Sequence, residues 1–446
     1  MSQVVESRIV KQNRAGYLAD LLKTVAAETS GNDWLMPVRE RAAVLLSEQA
    51  IPSTRDEEWR FTDLSSLLQV KFEKAVPVEL PEVAISALIL PEAQESRLVF
   101  VNGIFAPHLS SVAALPDGVF VGNLPAENSA EQVKNYLGKL PGSEEVFTAL
   151  NTAGLEEAAV VFVPKNKAVE TPIHLLFLTV ADAPAISQPR CLVVAEANSK
   201  VTIVEHYATA SLGCPDVSTS HPYWTNAVTE IFTAENSEVV HVRIQRESGD
   251  AFHVGKTAVS QARFSRYVCH AVSLGAKVSR HNLEVFQTGE GTDTKLNGLT
   301  MIAGEQLADT HSLIALNHPH GTTDQLHKCI VGDRAHAVFN GKVFVPKPAQ
   351  LTNAAQLSRN LLLSPKARVD TKPQLEITAD NVKCSHGATV SQLDAEEVFY
   401  LQSRGLDREM SCRLLMDAFA DEIIQLLPVV SLQTMLGRCV SCRNND

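Results

Sequence analysis

Nowhere in these 446 residues is there an uninterrupted apolar stretch long enough to span a bilayer. Positive charge is in deficit: 39 Lys and Arg stand against 51 Asp and Glu, a net charge of −12 at pH 7. Neutralising phosphate needs a basic face, so nucleic acid and anionic membrane are set aside as main partners. Cysteine is sparse, eight in the whole length, which fits a reducing cytoplasm better than a disulfide framework. The opening MSQVVESRIV has no apolar run after a basic start, so no signal peptide is expected. Several catalytic motifs are missing as well. There is no G-x-x-x-x-G-K-[ST] loop, so ATP binding of the P-loop kind is excluded. Gly289-Glu-Gly291 belongs to a turn and opens no helix, which leaves a dinucleotide fingerprint unsupported. Neither a G-x-S-x-G elbow nor an H-E-x-x-H helix is present.

What remains is ordinary globular material, 45% hydrophobic and 20% charged, enough for a sizeable core and two or three domains. The first stretch, 1–95, reads mainly as helix followed by a connector from Ala75 to Glu95. Leu18, Leu21, Leu22 and Val25 fall at helical spacing, and Ala42, Leu45 and Leu46 start another stripe after a break at Pro37. Between the helices and the connector, Pro52 to Asp63 is charged but carries Trp59 and Phe61, the pattern of an anchored surface turn.

From Arg97 the character changes to strand, and 96–392 reads as one β-rich region with a helical excursion near 128–154. Val201/Ile203, Val240/Val242/Ile244, Leu283/Val285, Val343/Val345 and Leu375/Ile377 alternate with period two. Such a series can be an antiparallel sandwich or a solenoid of stacked parallel coils. Length favours the solenoid, as does the scarcity of hairpin Asn-Gly pairs between Cys191 and Val390, Asn297-Gly298 and Asn340-Gly341 being the exceptions. Loosely similar units at Ala197 and Ala234, about 37 residues apart, suggest a repeat spanning near two coils.

The stretch from Gln374 to Gly405 joins strand to helix. Val382, Cys384, His386, Ala388 and Val390 share one side of a predicted strand, which sets the thiol and the imidazole about 7 Å apart at their α-carbons. Two such donors can ligate a soft metal, although they are too few to close a site. Equally, they can line a core, with the thiol acting as a small hydrophobe. Asp394 reads as an N-cap with Glu397 in the capping-box position, and Gly405 as the stop. A second helix follows, capped by Asp407 and ended by Pro428, with Leu415, Phe419, Ile423 and Leu427 along one face and Leu414, Ala418 and Ile424 widening it. The remainder from Arg438, including the pair Cys439 and Cys442, reads as a polar tail with adventitious thiols. Cys191, Cys214, Cys269, Cys329 and Cys412 read as inert buried thiols. His311, His318, His320 and His327 form a second histidine-rich run, but no carboxylate ligand or general base is placed beside them by sequence.

PQLEITADNVKCSHGATVSQLDAEEVFYLQSRG resembles the C-terminal signature of the SufB/SufD family of the SUF iron–sulfur cluster assembly system. The Lys383-to-Thr389 form is similar to SufD, and the Glu-His-Glu-Ala-Thr run usual in SufB is absent. The Asp56-Glu-Glu-Trp-Arg-Phe-Thr62 segment resembles the family's N-terminal motif and gives a second, distant anchor. The resemblance implies a mainly β fold, a right-handed parallel β-helix core (96–392) flanked by N- and C-terminal helical domains (1–95 and 393–446). It implies a non-catalytic scaffold subunit paired with a SufB-like homologue, with ATP hydrolysis on a SufC-like ATPase docked on the C-terminal helices. Phe399, Tyr400, Arg404, Leu415, Phe419 and Ile423 are the expected partner-binding residues. His386, with Cys384 second, is the expected ligand for transient iron or an iron–sulfur cluster shared with the partner; the isolated chain would hold none and could pair with itself. The rival readings are a purely structural subunit and a stand-alone β-helix enzyme acting on polysaccharide, which would need a carboxylate pair that the scattered acids do not supply.

Overall fold

The computed structural model describes residues 2–26, 34–113, 115–124, 133–210 and 219–442, with backbone alone at 2–12 and 441–442. Its centre is a parallel β-solenoid of about 8 turns. Successive strands fall alternately into two sheets, so that hydrogen-bonded neighbours are separated by one strand of the other sheet. In the first sheet Phe252 pairs with Val278, Val278 with Leu307, Leu307 with His336, and His336 with Arg368. One coil therefore takes roughly thirty residues, within the usual range for a solenoid repeat.

The alternation seen in the sequence becomes ladders. Val161, Val193, Ile231, Val259, Val285, Ile314 and Val343 stack in register along the first sheet, all buried in the interior cluster. Each aliphatic side chain removed from water in this way contributes about 1.5–3 kcal/mol. One corner of the solenoid repeats as well. Asn166, Asn198, Asn236, Phe264, Gly291, His320 and Leu351 all have left-handed backbone, with φ between 55° and 67°. Each donates its N–H to a carbonyl on the next coil, for example Asn198 to Glu235 at 3.0 Å and His320 to Gln350 at 3.0 Å. The similar units at Ala197 and Ala234 are this corner on neighbouring coils, since Lys200 pairs directly with Glu238. Their spacing is thus one enlarged coil, not two.

Unlike Asn102-Gly103, which joins two antiparallel strands, the Asn-Gly pairs at 297–298 and 340–341 are not turns. Gly298 lies inside the strand Asp293–Ile302 and Gly341 inside His336–Val345. A Cβ on Gly298 would fall 2.1 Å from His327 Nδ1, and one on Gly341 would fall 2.3 Å from Gln356 Nε2. Both glycines make room for a polar side chain in the solenoid interior. His327 cannot yield easily, because its ring is stacked on Phe339 with centroids 4.6 Å apart. Gly298→Ala is expected to cost about 1–3 kcal/mol through overpacking, read as a lower thermal midpoint. An unchanged midpoint would mean that the ring has room to move.

Helices cover the outer faces. Leu18, Leu21 and Val25 of Ser2–Val25 and Ala42 and Leu46 of Met36–Ser47 join Phe147 and Leu150 of Val146–Ala153 against Trp224, Phe252 and Val278. Residues 128–132 of the expected excursion lie outside the described residues. On the second sheet, helices Arg408–Ile424 and Val430–Cys442 lay Ala420, Ile423, Leu432, Leu436 and Cys439 over Val204, Val242, Ile244, Val272 and Met301. Over 438–442 the expected polar tail therefore continues the helix Val430–Cys442. Leu432, Leu436, Cys439 and Val440 form its apolar stripe, and Cys439 is buried in it. Cys214 and the Cys442 side chain lie outside the described residues.

Candidate site at the open end of the solenoid

The last coil differs from those beneath it. Strands Arg368–Ile377 and Lys383–Ser391 have half-buried or exposed residues throughout, whereas interior positions of earlier coils are sealed. Among the described residues each pairs with one neighbour only, so an edge of unpaired backbone is left at the end of both sheets. Cys384 and His386 sit on the second of these strands, two residues apart and facing the interior. Cys384 packs against the core and is half-buried, while His386 is exposed. Burial raises the Cys384 thiol above its ordinary range, opposed by a backbone hydrogen bond from Ala354, so the thiol form is favoured. Two turns of chain further, Asp394 accepts from Glu396 N–H at 2.7 Å and starts the helix Ala395–Ser403; the cap reaches Glu396, not Glu397. Gly405, at φ +96°, ends it, and Asp407 caps the next helix through Met410 N–H at 2.7 Å.

His386 ends an interior column that runs the length of the second sheet: Ile203, His241, Cys269, Leu296, Gln325, Gln356, His386. Much of this column is polar, which the sequence reading did not anticipate. Glu205, on the adjacent column, accepts from Tyr207 Oη at 2.5 Å and Thr229 Oγ1 at 2.8 Å, and its Oε2 lies 3.0 Å from His241 Nε2. Arg243 bridges to His253 at 2.5 Å, and His253 to Glu247 at 2.6 Å. All of these groups are buried. The clue was present in Val-Val-His-Val-Arg-Ile-Gln at 239–245, but Val242 and Ile244 face the helices outside while His241, Arg243 and Gln245 face in.

The other expected residues divide. Phe399 and Tyr400 are 71% and 57% exposed, and the Arg404 guanidinium lies 5.2 Å from the Tyr400 ring centre. Leu415 and Phe419 are half-buried, with the Lys328 ammonium 3.9 Å from the Phe419 ring centre. Ile423 is fully buried against the solenoid and is not available to a partner; Met410 and Leu414 are the large exposed apolar side chains of that helix. The four histidines do not converge. His311 is on the outer face between Glu58 and Asp309, His320 is a corner residue, and His327 is interior. Among the described residues no cluster of three or more His, Cys, Asp or Glu is arranged to hold a metal. Cys191, Cys269 and Cys329 are buried thiols and Cys412 is half-buried. No helix of the described residues is long and apolar enough to cross a membrane.

Comparison with known proteins agrees with this architecture. Residues 177–419 match the profile described as SUF system FeS cluster assembly, SufBD core domain, and residues 20–175 match the SufBD protein N-terminal region. An iron–sulfur cluster assembly SufBD family protein of Synechocystis sp. is 54% identical over 92% of this chain and 91% of its own length. The chloroplastic protein ABCI7 of Arabidopsis thaliana is 36% identical over 92% and 86%, and the iron–sulfur cluster assembly protein SufD of Escherichia coli 29% over 86% of each. A parallel solenoid flanked by helices, matched along nearly its whole length, makes this chain a member of the SufB/SufD family of the SUF iron–sulfur cluster assembly system.

Proposed function

We propose that this chain is a SufD-type scaffold subunit that completes an iron site across a subunit boundary, with His386 as its main donor. The observation that carries this reading is the open last coil. An exposed imidazole stands on a strand whose outer edge has no partner among the described residues. Such an edge, with Val390 50% exposed beside it, is a template for a strand from another chain. A SufB homologue seated there would bring the ligands that this chain lacks. Cys384 is the second donor, held back by its raised proton affinity. Iron or a nascent cluster is the cargo. A SufC-type ATPase, docked on the exposed Phe399, Tyr400 and Arg404 with Leu415 beside them, would supply the energy of the cycle, with no turnover by this chain alone. The buried thiols Cys191, Cys269 and Cys329 fit a reducing, cytoplasmic setting.

His386→Ala is expected to leave the fold intact, because removing an exposed side chain leaves no cavity in the core. Iron content and cluster formation in the purified three-subunit complex should fall to background. A variant complex that loads iron and reconstitutes clusters at the wild-type rate would overturn the site and favour a purely structural subunit. Strand addition by a second copy of this chain would appear instead as a homodimer stable in the presence of the SufB homologue.

A further inference from the structure

His386 has a polar neighbour one rung inward. Gln356 pairs with it in register, on the same interior face, and is 2% exposed. Strand spacing sets their α-carbons about 4.8 Å apart. Gln356 Nε2 donates to Gln325 Oε1 at 2.8 Å, and Gln325 Nε2 donates to Ser312 Oγ at 2.8 Å. That relay fixes the Gln356 amide with its nitrogen pointing inward. Its carbonyl Oε1 is buried and has no hydrogen-bond partner among the described residues. Leaving such an oxygen unsatisfied costs about 1–3 kcal/mol. Space for the amide is kept by Gly341, where any Cβ would collide with it. On this column Gln356 has two neighbours, and Gln325 already holds its nitrogen. The other is His386.

We infer that Gln356 is a positioning residue for His386: its Oε1 accepts a hydrogen bond from one ring nitrogen and so presents the other, unprotonated, to the iron. The inference deepens the reading of His386 as an iron donor and rests on it. Imidazole ligands are commonly oriented by giving their second N–H to a carbonyl or carboxylate, which selects the tautomer. An amide carbonyl does this without adding negative charge beside the metal. The ring is aimed but stays a moderate donor, as a cargo that must leave requires.

The test uses the full-length chain labelled with ¹⁵N-histidine, at about pH 9, above the ordinary imidazole range. His386 signals are identified by their loss in His386→Gln. The wild type is expected to show one tautomer, with a single protonated nitrogen. Gln356→Met, similar in length but without the acceptor, should relax to the mixed tautomers of a free imidazole. Cluster formation by the three-subunit complex should drop about ten-fold or more in Gln356→Met, beyond the modest fall in thermal midpoint that its lost hydrogen bond to Gln325 brings. Identical His386 spectra in wild type and Gln356→Met would overturn the contact. A fixed tautomer combined with full activity of His386→Ala would instead overturn the iron reading and leave the contact standing.

Discussion

Glu205→Ala is expected to destabilise the chain by about 3–5 kcal/mol, the loss seen when one member of a buried charge pair is removed. The carboxylate is 1% exposed and meets four side chains: Tyr207, Thr229, His241 and, at 3.8 Å, Arg243. Burial alone would raise its pKa. The hydrogen bond and charge of His241, with Arg243 and Tyr207, overcome this and pull it down to about 2. His241 moves the other way. Burial lowers its pKa, but hydrogen bonds with Cys269 and Glu205 push it up to about 9. The two signs define a window. The Glu205 contribution is present above its unfolded value of about 4.3 and is lost as pH falls through about 2. The His241 contribution is present below about 6.5 and is lost as pH rises through about 9. Wild-type stability, measured by urea unfolding at several pH values, should therefore decline on the alkaline side. In Glu205→Ala that decline should be shallower, because His241 loses one of the two groups that raise it. Equal alkaline slopes in the two proteins would show that this pair does not govern the pH dependence.

That interior network marks the limit of what sequence pattern conveys about a solenoid. Period-two alternation identifies a strand with two unlike faces, but it does not say which face is inside. At 238–247 the apolar set packs under the C-terminal helices, while His241, Arg243 and Gln245 point into the coil. A strand covered on both sides can place either set inward provided the polar one is paired. Local signals with a steric cause were easier to read. Asp394 and Asp407 cap helices with their carboxylates, Gly405 ends one because it lacks a Cβ, and Asn198 and Asn236 mark a left-handed corner. The same corner on other coils is held by Phe264, His320 and Leu351, which carry no such signal, so the repeat looked degenerate. For the candidate site, the shared face of Cys384 and His386 followed from spacing. Their exposure did not, because no residue type announces that a coil is the last. The final helix was missed for a related reason: its stripe of Leu432, Leu436, Cys439 and Val440 was cut short by reading the cysteines as a separate motif.

The segment around Trp59 ties the N-terminal region to the solenoid, and Trp59→Ala is expected to cost about 3–5 kcal/mol. Trp59 is 6% exposed, its ring 3.8 Å from the Arg280 guanidinium carbon and 5.2 Å from the Phe147 ring. Arg280 is itself buried, donating to Glu58 O at 2.7 Å and to Asp309 Oδ2 at 2.5 Å. Thr62 also donates to Asp309, and Lys372 reaches Glu57 at 2.7 Å from a coil close to the open end. The charged, aromatic-bearing turn is thus a strap across several coils. Its tryptophan is a lid over a buried cation, worth about 2 kcal/mol beyond its area if desolvated. Asp309→Ala strips Arg280 of its counter-charge and should destabilise by a similar amount. Both changes undo the support of one guanidinium, so the double variant should lose less than the sum of the singles by about 0.5–3 kcal/mol. Urea unfolding of the four proteins measures that difference. Strict additivity would mean that Trp59 acts through Phe147 alone, and that Arg280 is held without it.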